Sequence, residues 1–166
     1  MKIIFIQTGG TIDKDYPKLQ MGYAFEITEP ASERILRRIN PNFEYEIVKL
    51  FRKDSLDMSD NERKELLSLC KNLSYKRLII THGTDTMLKT AEYLSGIRDK
   101  TIVLTGAFRP EKFYDSDAGF NLGVAVAAVQ ILPPSVYVAM SGRIYRWDDV
   151  ERHPESGQFV QKTDKQ

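Results

Sequence analysis

Hydrophobic positions along the chain alternate between short continuous runs and stretches of helical period. Lys2 to Gln7 is a β-branched and aromatic run that reads as a buried strand, and it stops at Thr8-Gly9-Gly10-Thr11. Residues 12 to 29 mix Gly, Pro, Tyr and charge with no stable period, and an unpatterned connection of that length is expected to be a lid or a disordered segment. Pro30 to Ile39 reads as a helix with Ile35, Leu36 and Ile39 on one side, and Phe43 to Phe51 alternates as a second strand. Ser59-Asp60-Asn61-Glu62 has the form of a capping box, in which Ser and Glu satisfy each other's free backbone donors. The helix it opens buries Leu66, Leu69, Cys70 and Leu73. Arg77 to Thr81 is a third strand, ending in His82-Gly83-Thr84-Asp85, and Thr86 to Leu94 is helical with Met87, Leu88, Ala91 and Leu94 inward. Thr101 to Leu104 is a short buried strand that stops at Gly106. Ala118, Leu122, Ala125, Val126 and Val129 recur at helical spacing, and Ser135 to Met140 is expected to be the last strand.

Strands alternating with helices over short links predict a mainly parallel sheet covered on both faces, a three-layer α/β/α fold. The 166 residues suit a single domain, placed here at residues 1–160 with a polar tail over 161–166. No internal repeat or low-complexity segment interrupts it. The formal net charge of +1 implies no large field of one sign and gives no reason to expect a nucleic-acid partner. Cys70 is the one cysteine, so no disulfide forms within the chain, and its place on an apolar helix face reads as core. The apolar run Ile3 to Ile6 is shorter than the roughly 7 residues a signal-peptide core needs, and no stretch approaches the roughly 20 of a membrane-spanning helix. A cytoplasmic protein without a membrane partner is expected.

In open α/β sheets, ligands bind beyond the carboxyl ends of the strands. Three unusual turns fall at such ends: Thr8 to Thr11, His82 to Thr86, and Gly106 to Pro110. Glycine lets the backbone approach a ligand and expose its N–H groups, and threonine adds a hydroxyl that donates, accepts or attacks. Each turn has a plain structural reading as well. Thr8 to Thr11 is compatible with a tight βα turn holding phosphate or nothing, although neither a dinucleotide fingerprint nor a P-loop is present. Asp85 or Thr86 is placed to cap the following helix, and His82 to serve as a hydrogen-bonded strand-end residue. Two histidines and one cysteine make no ligand cluster, so neither a metal nor another cofactor is expected.

Taken together the turns are more specific. Phe5 to Asp13, FIQTGGTID, and Ile79 to Met87, IITHGTDTM, resemble the two signatures of the bacterial-type L-asparaginase family. GAFRP at 106–110 and GFNL at 119–122 resemble further blocks in the same order, and Asp54-Ser55 with Asp57-Met58-Ser59 resembles the family's substrate-binding turn. The resemblance runs from the first strand to about residue 150. The chain departs from the pattern in length, since family members usually continue into a second, smaller domain. It departs also at Leu56, where a glutamine usually follows the serine, and at Arg152, which stands in the place of the family's lysine.

The resemblance implies hydrolysis of the side-chain amide of asparagine to aspartate and ammonia. It implies Thr11 as nucleophile, Tyr16 as its activator, and Thr84, Asp85 and Arg152 as the other members of the reacting group. Gly10, Asp54, Ser55, Gly83, Thr84 and Asp85 are implied as the substrate-binding set, with Ser55 on the α-carboxylate, Asp85 on the α-ammonium, and N–H groups near Gly10 and Gly83–Thr84 on the oxyanion. Alternative readings are hydrolysis of glutamine or another small amide or ester, and a weakly active or non-catalytic amino-acid-binding module. Arg152 is expected to pair with Asp85, and a homodimer or homotetramer is expected because sites in the family are completed between subunits.

Overall fold

The computed structural model describes residues 1–17 and 25–162. In chain order the strands are β1 (Lys2–Gly9), β2 (Lys14–Asp15), β3 (Glu26–Ile27), β4 (Glu44–Lys53), β5 (Arg77–Thr81), β6 (Thr101–Thr105), β7 (Ser135–Met140), β8 (Arg143–Arg146), β9 (Val150–Arg152) and β10 (Phe159–Gln161). The helices are α1 (Ala31–Ile39), α2 (Asp60–Asn72), α3 (Met87–Leu94) and α4 (Ala118–Ile131). Six strands form the central sheet in the order β4-β1-β5-β6-β7-β8, parallel throughout except for the β7–β8 pair.

The two-residue period of the strands sorts the core into two layers. Ile4, Ile6, Leu78, Ile80, Ile102, Leu104, Val136 and Val138 face α2 and α3, with Leu66, Cys70, Met87, Ala91 and Leu94 packed onto them. Ile3, Phe5, Ile79, Val103, Tyr137 and Ala139 face the opposite way, toward α1 and α4 through Ile35, Leu36, Leu122, Ala125 and Val129. Each large apolar side chain removed from water in this way contributes about 1.5–3 kcal/mol. The three-layer α/β/α fold is the one the pattern predicts. The capping box of α2 is formed, with Ser59 Oγ accepting from the Glu62 N–H and the Glu62 carboxylate accepting from the Ser59 N–H. Cys70 is buried, and burial pushes its thiol up to about 12.

Ser135 to Met140 is not the last strand. Ser141 and Gly142, both at positive φ, turn the chain in two residues into antiparallel β8, and a further antiparallel pair, β9–β10, follows. The final strand ends at Gln161, inside the segment expected to be tail. In the described part of residues 12–29, β2 and β3 form an antiparallel pair that the unpatterned composition does not suggest. The centre of the expected lid, residues 18–24, and the tail residues 163–166 lie outside the described residues. No helix among the described residues is long and apolar enough to cross a membrane.

Chain direction makes β1 and β5 the pivot of the sheet. From β1 the chain steps outward through α1 to β4, then crosses back through α2 to β5 on the other side of β1 and continues to β6 and β7. Order therefore reverses between β1 and β5, the position where open α/β sheets leave a crevice at their carboxyl edge. Beyond it, buried Asn121 of α4 ties the ends of β6 and β7 together. Its Nδ2 donates to the Gly106 carbonyl (3.0 Å) and to Asp117 (2.8 Å), and its Oδ1 accepts from the Ser141 N–H (2.9 Å). Asn121→Ala leaves these groups without their partner and is expected to destabilise the fold by about 2–4 kcal/mol, read from the urea-unfolding midpoint. An unchanged midpoint would show that the network contributes nothing net.

Candidate active site

Turns from four neighbouring strands meet at the carboxyl edge, and they meet through glycines. Gly10 adopts φ 89° and ψ −177°, a region open in practice only to glycine. A Cβ placed there would lie 2.3 Å from the Gly83 nitrogen, and one on Gly83 would lie 2.6 Å from Ser55 Oγ. A Cβ on Gly106 would stand 2.4 Å from the His82 carbonyl oxygen. The ends of β1, β4, β5 and β6 are thus in backbone contact.

Gly10, Ser55 and Gly83 are therefore brought together directly. Thr11 opens a single 3-10 turn, Thr11–Asp13, and is half-buried, as is Thr84, while Asp85 is exposed. Ser55 is only 2% exposed. Its Oγ accepts from the Thr86 N–H (3.3 Å), and its carbonyl accepts from the Thr86 hydroxyl (2.7 Å). Asp54 caps the turn that holds Ser55 and pairs with Lys14 at 2.9 Å, and that pairing holds its carboxyl below the ordinary range. Leu56 projects outward, 71% exposed.

Several expectations meet different geometry. The Gly10 N–H donates to the Lys53 carbonyl at 2.9 Å and so has no hydrogen left for an oxyanion. The N–H groups of Gly83 and Thr84 make no hydrogen bond among the described residues. Tyr16, 68% exposed, packs its ring against Phe25 and Phe113, with centroids 5.2 and 6.1 Å away, and makes no hydrogen bond to Thr11 among the described residues. Arg152 does reach the site, donating to the Thr84 carbonyl at 3.2 Å with its guanidinium over the rings of Phe159 and Phe108. It makes no ion pair with Asp85 among the described residues. Two cavities lie beside these residues. One is lined by Phe108, Asp117, Phe120 and Asn121, another by Trp147, Glu151, Arg152 and Lys162, and neither takes Thr11, Ser55 or Thr84 into its wall.

Three buried polar residues lie behind the turns, and of these the roles of Asp13 and Arg63 escape the sequence reading. Asp13 accepts from Gln7 Nε2 (3.0 Å) and from the Ala31 N–H at the start of α1 (2.7 Å). Burial pushes its carboxyl up to about 6, against the pull of those two hydrogen bonds. His82 has both ring nitrogens engaged, by the Gly83 carbonyl and the Thr90 hydroxyl, each at 2.8 Å, and burial pushes it down to about 4. It is the hydrogen-bonded strand-end residue its position suggests. Arg63, also buried, occupies the stripe of α2 that otherwise carries Leu66 and Cys70. A charged residue at core spacing was the signal that marks it. Asp13 offers no such signal, since nothing periodic surrounds it. No group of three or more metal-ligating side chains occurs among the described residues.

Residues 2–157 match the family model of the asparaginase N-terminal domain. A glutaminase-asparaginase of Acinetobacter glutaminasificans is 38% identical over 101 residues, 54% of this chain and 30% of that protein. An L-asparaginase of Thermococcus kodakarensis is 30% identical over 154 residues, 87% of this chain and 45% of that protein. The solved structure of the thermostable L-asparaginase from Thermococcus kodakarensis superposes with a TM-score of 0.83 at 28% identity, over 97% of this chain and 51% of that one. The chain spans about half or less of the length of these relatives.

Asp13 and His82 pull stability in opposite directions with pH. Asp13 binds its proton more tightly folded than unfolded, about 6 against 3.8, so its contribution is present below that window and is lost as pH rises through it. His82 binds its proton less tightly folded, about 4 against 6.5, so its contribution is present above that window and is lost as pH falls through it. Asp13→Asn removes the first effect alone. Its stability relative to the unsubstituted protein is expected to rise by about 3 kcal/mol between roughly pH 3.5 and pH 7, measured by urea unfolding at each pH. Parallel curves would show that Asp13 titrates normally. Gly10→Ala, forced into a glycine-only conformation and against Gly83, is expected to lower stability by about 3 kcal/mol or more.

Proposed function

The chain belongs to the asparaginase family, in the form of the family's N-terminal domain, and on that premise we propose that it is an amidohydrolase that cleaves the side-chain amide of asparagine. The observation that carries this reading is the backbone contact between Gly10 and Gly83, which joins the Thr11 turn to the Thr84 turn at the reversal point of the sheet. Two threonine hydroxyls on adjoining turns, beside a cation, are what acyl transfer from a small amide needs.

Thr11 Oγ attacks the amide carbon, and its proton passes to Tyr16 once the phenol leaves Phe25 and Phe113 and closes over the substrate. The developing oxyanion is met by the N–H groups of Gly83 and Thr84. As it accepts the Thr11 proton, the phenol passes its own hydrogen to the amide nitrogen, which leaves as ammonia and gives an ester on Thr11. Water positioned by Thr84 then cleaves that ester, releasing aspartate and restoring the hydroxyl. Ser55 binds the α-carboxylate, and the exposed carboxylate of Asp85 binds the α-ammonium by a charge-assisted hydrogen bond. The reaction needs no metal or other cofactor.

Arg152 limits the rate. A guanidinium stays protonated and donates only, so it fixes the Thr84 carbonyl and supplies charge without accepting the Thr84 proton. Slow hydrolysis through Thr11 is the expected outcome. The same observation favours one other reading, an amino-acid-binding module that holds asparagine or aspartate without turnover. Glutamine is the competing substrate, given the name of the Acinetobacter relative and the exposed Leu56 in place of the family glutamine. A homodimer or homotetramer working in the cytoplasm is part of the proposal.

Ammonia release from asparagine and glutamine decides among these. Release from asparagine, abolished by Thr11→Val and by Thr84→Val with the fold retained, is expected; binding of aspartate with no release would select the binding module. Arg152→Lys is expected to raise the rate several-fold, by about 1 kcal/mol or more of transition-state stabilisation. If neither Arg152→Lys nor Arg152→Ala changes the rate, Arg152 lies outside the reacting group.

A further inference from the structure

Arg63 is 2% exposed, and its one carboxylate partner among the described residues, Asp60 at 3.2 Å, is half exposed. A cation so placed is costly unless its donors are used, and an apolar residue would ordinarily fill this position on the stripe of α2. All three guanidinium nitrogens are used. Nη1 donates to the Met58 carbonyl (2.6 Å), Nε to the Thr90 hydroxyl (3.1 Å), and Nη2 to the Thr86 hydroxyl (2.9 Å).

These bonds have a direction that chemistry fixes. A guanidinium only donates, so Thr86 Oγ1 accepts from it and turns its single hydrogen to the Ser55 carbonyl, which only accepts. Thr90 Oγ1 likewise accepts from Arg63 and turns its hydrogen to His82 Nε2. His82 then carries its hydrogen on Nδ1 and donates it to the Gly83 carbonyl. One arm ends on the residue before Thr84 and the other on Ser55. The Thr86 N–H completes the second arm by occupying a lone pair of Ser55 Oγ, which leaves the Ser55 hydroxyl hydrogen to point elsewhere.

We propose that Arg63 is the positioning residue of the substrate-binding turn: it holds Thr86, whose hydroxyl fixes the Ser55 carbonyl and whose N–H takes a lone pair of Ser55 Oγ, so that Ser55 turns its hydroxyl hydrogen to the carboxylate of the bound amino acid. The inference rests on the amino-acid site proposed above and adds to it a buried residue that never touches the ligand. Reversing the Thr86 hydroxyl would aim its oxygen at the Ser55 carbonyl oxygen, and reversing that of Thr90 would aim its oxygen at the lone pair of His82 Nε2, so one pattern is locked out of two.

The test uses Arg63→Met, which keeps the volume and removes the donors, and Thr86→Val, which cuts the arm to Ser55 and leaves the cation in place. Both are expected to raise KM for asparagine and Kd for aspartate about tenfold or more, with kcat within about threefold, because a carboxylate contact is felt equally in ground and transition states. Arg63→Lys is expected to recover part of that loss, since one ammonium reaches fewer of the three acceptors. A merely structural role predicts instead a lower melting temperature with KM unchanged. Unaltered KM and Kd in Arg63→Met and Thr86→Val, with the parent protein active, would overturn the proposal and leave the amidohydrolase reading standing. If the parent protein neither binds aspartate nor releases ammonia, the amidohydrolase reading fails, and this inference fails with it.

Discussion

The Gly10–Gly83 contact governs the whole carboxyl edge. The Gly83 backbone leaves no room for a Cβ on Gly10, Ser55 leaves none on Gly83, and Gly10 holds a conformation that other residues do not adopt. Because β1 and β5 are also the strands between which sheet order reverses, the contact sits where the fold leaves its crevice. Ser55 joins through Gly83, and the Gly106 turn joins through His82, so four loops that are remote in sequence depend on the same close approach. A side chain at Gly10 would separate the turns that carry Thr11 and Thr84, and the other contacts would have nothing to close onto.

Behind this contact the protein has buried polar groups where an ordinary core would have aliphatic ones. Asp13 with Gln7 ties the Thr11 turn to the start of α1, Arg63 with Thr90 and His82 supports the Thr84 turn, and Asn121 holds the ends of β6 and β7. Burying such groups costs free energy, and their net contribution to stability is small even when every bond is made. Direction is what they supply. Dispersion contacts would hold the turns at the same distance but would leave the hydroxyl hydrogens free to rotate, whereas a network ended by donor-only and acceptor-only groups fixes each one.

The legible part of the fold was the part made of long-range burial. β1, β5, β6 and β7 are buried on both faces, so each reads as a continuous apolar run, and the helices between them carry clear period. β8 begins and ends with arginine on an exposed edge, and β9 and β10 are three residues each, too short for either period to register. The Ser141-Gly142 dipeptide was the available sign of the hairpin into β8. At the site, the turns were legible in combination, since each one alone also has a plain structural reading. The partners of each side chain were not, since Asp54 meeting Lys14, Tyr16 meeting Phe113 and Arg152 meeting the Thr84 carbonyl all depend on contacts that sequence spacing does not encode.

Arg152 sits in surroundings that fit an arginine. Its guanidinium lies 4.7 Å from the Phe159 ring centroid and 5.6 Å from that of Phe108, a setting that suits a flat delocalised cation better than a compact ammonium. Gly157, at φ 67°, passes so close that a Cβ would stand 3.2 Å from Arg152 Nη2. The β9–β10 hairpin that supplies Phe159 is thus shaped around an arginine, and a shorter ammonium in its place would leave the aromatic faces partly unfilled. The guanidinium supplies positive charge beside Thr84 and cannot take a proton there. On the proposed mechanism, the proton lost by the nucleophile must therefore leave on the Thr11 side, which makes the movement of Tyr16 toward that hydroxyl the step on which turnover depends.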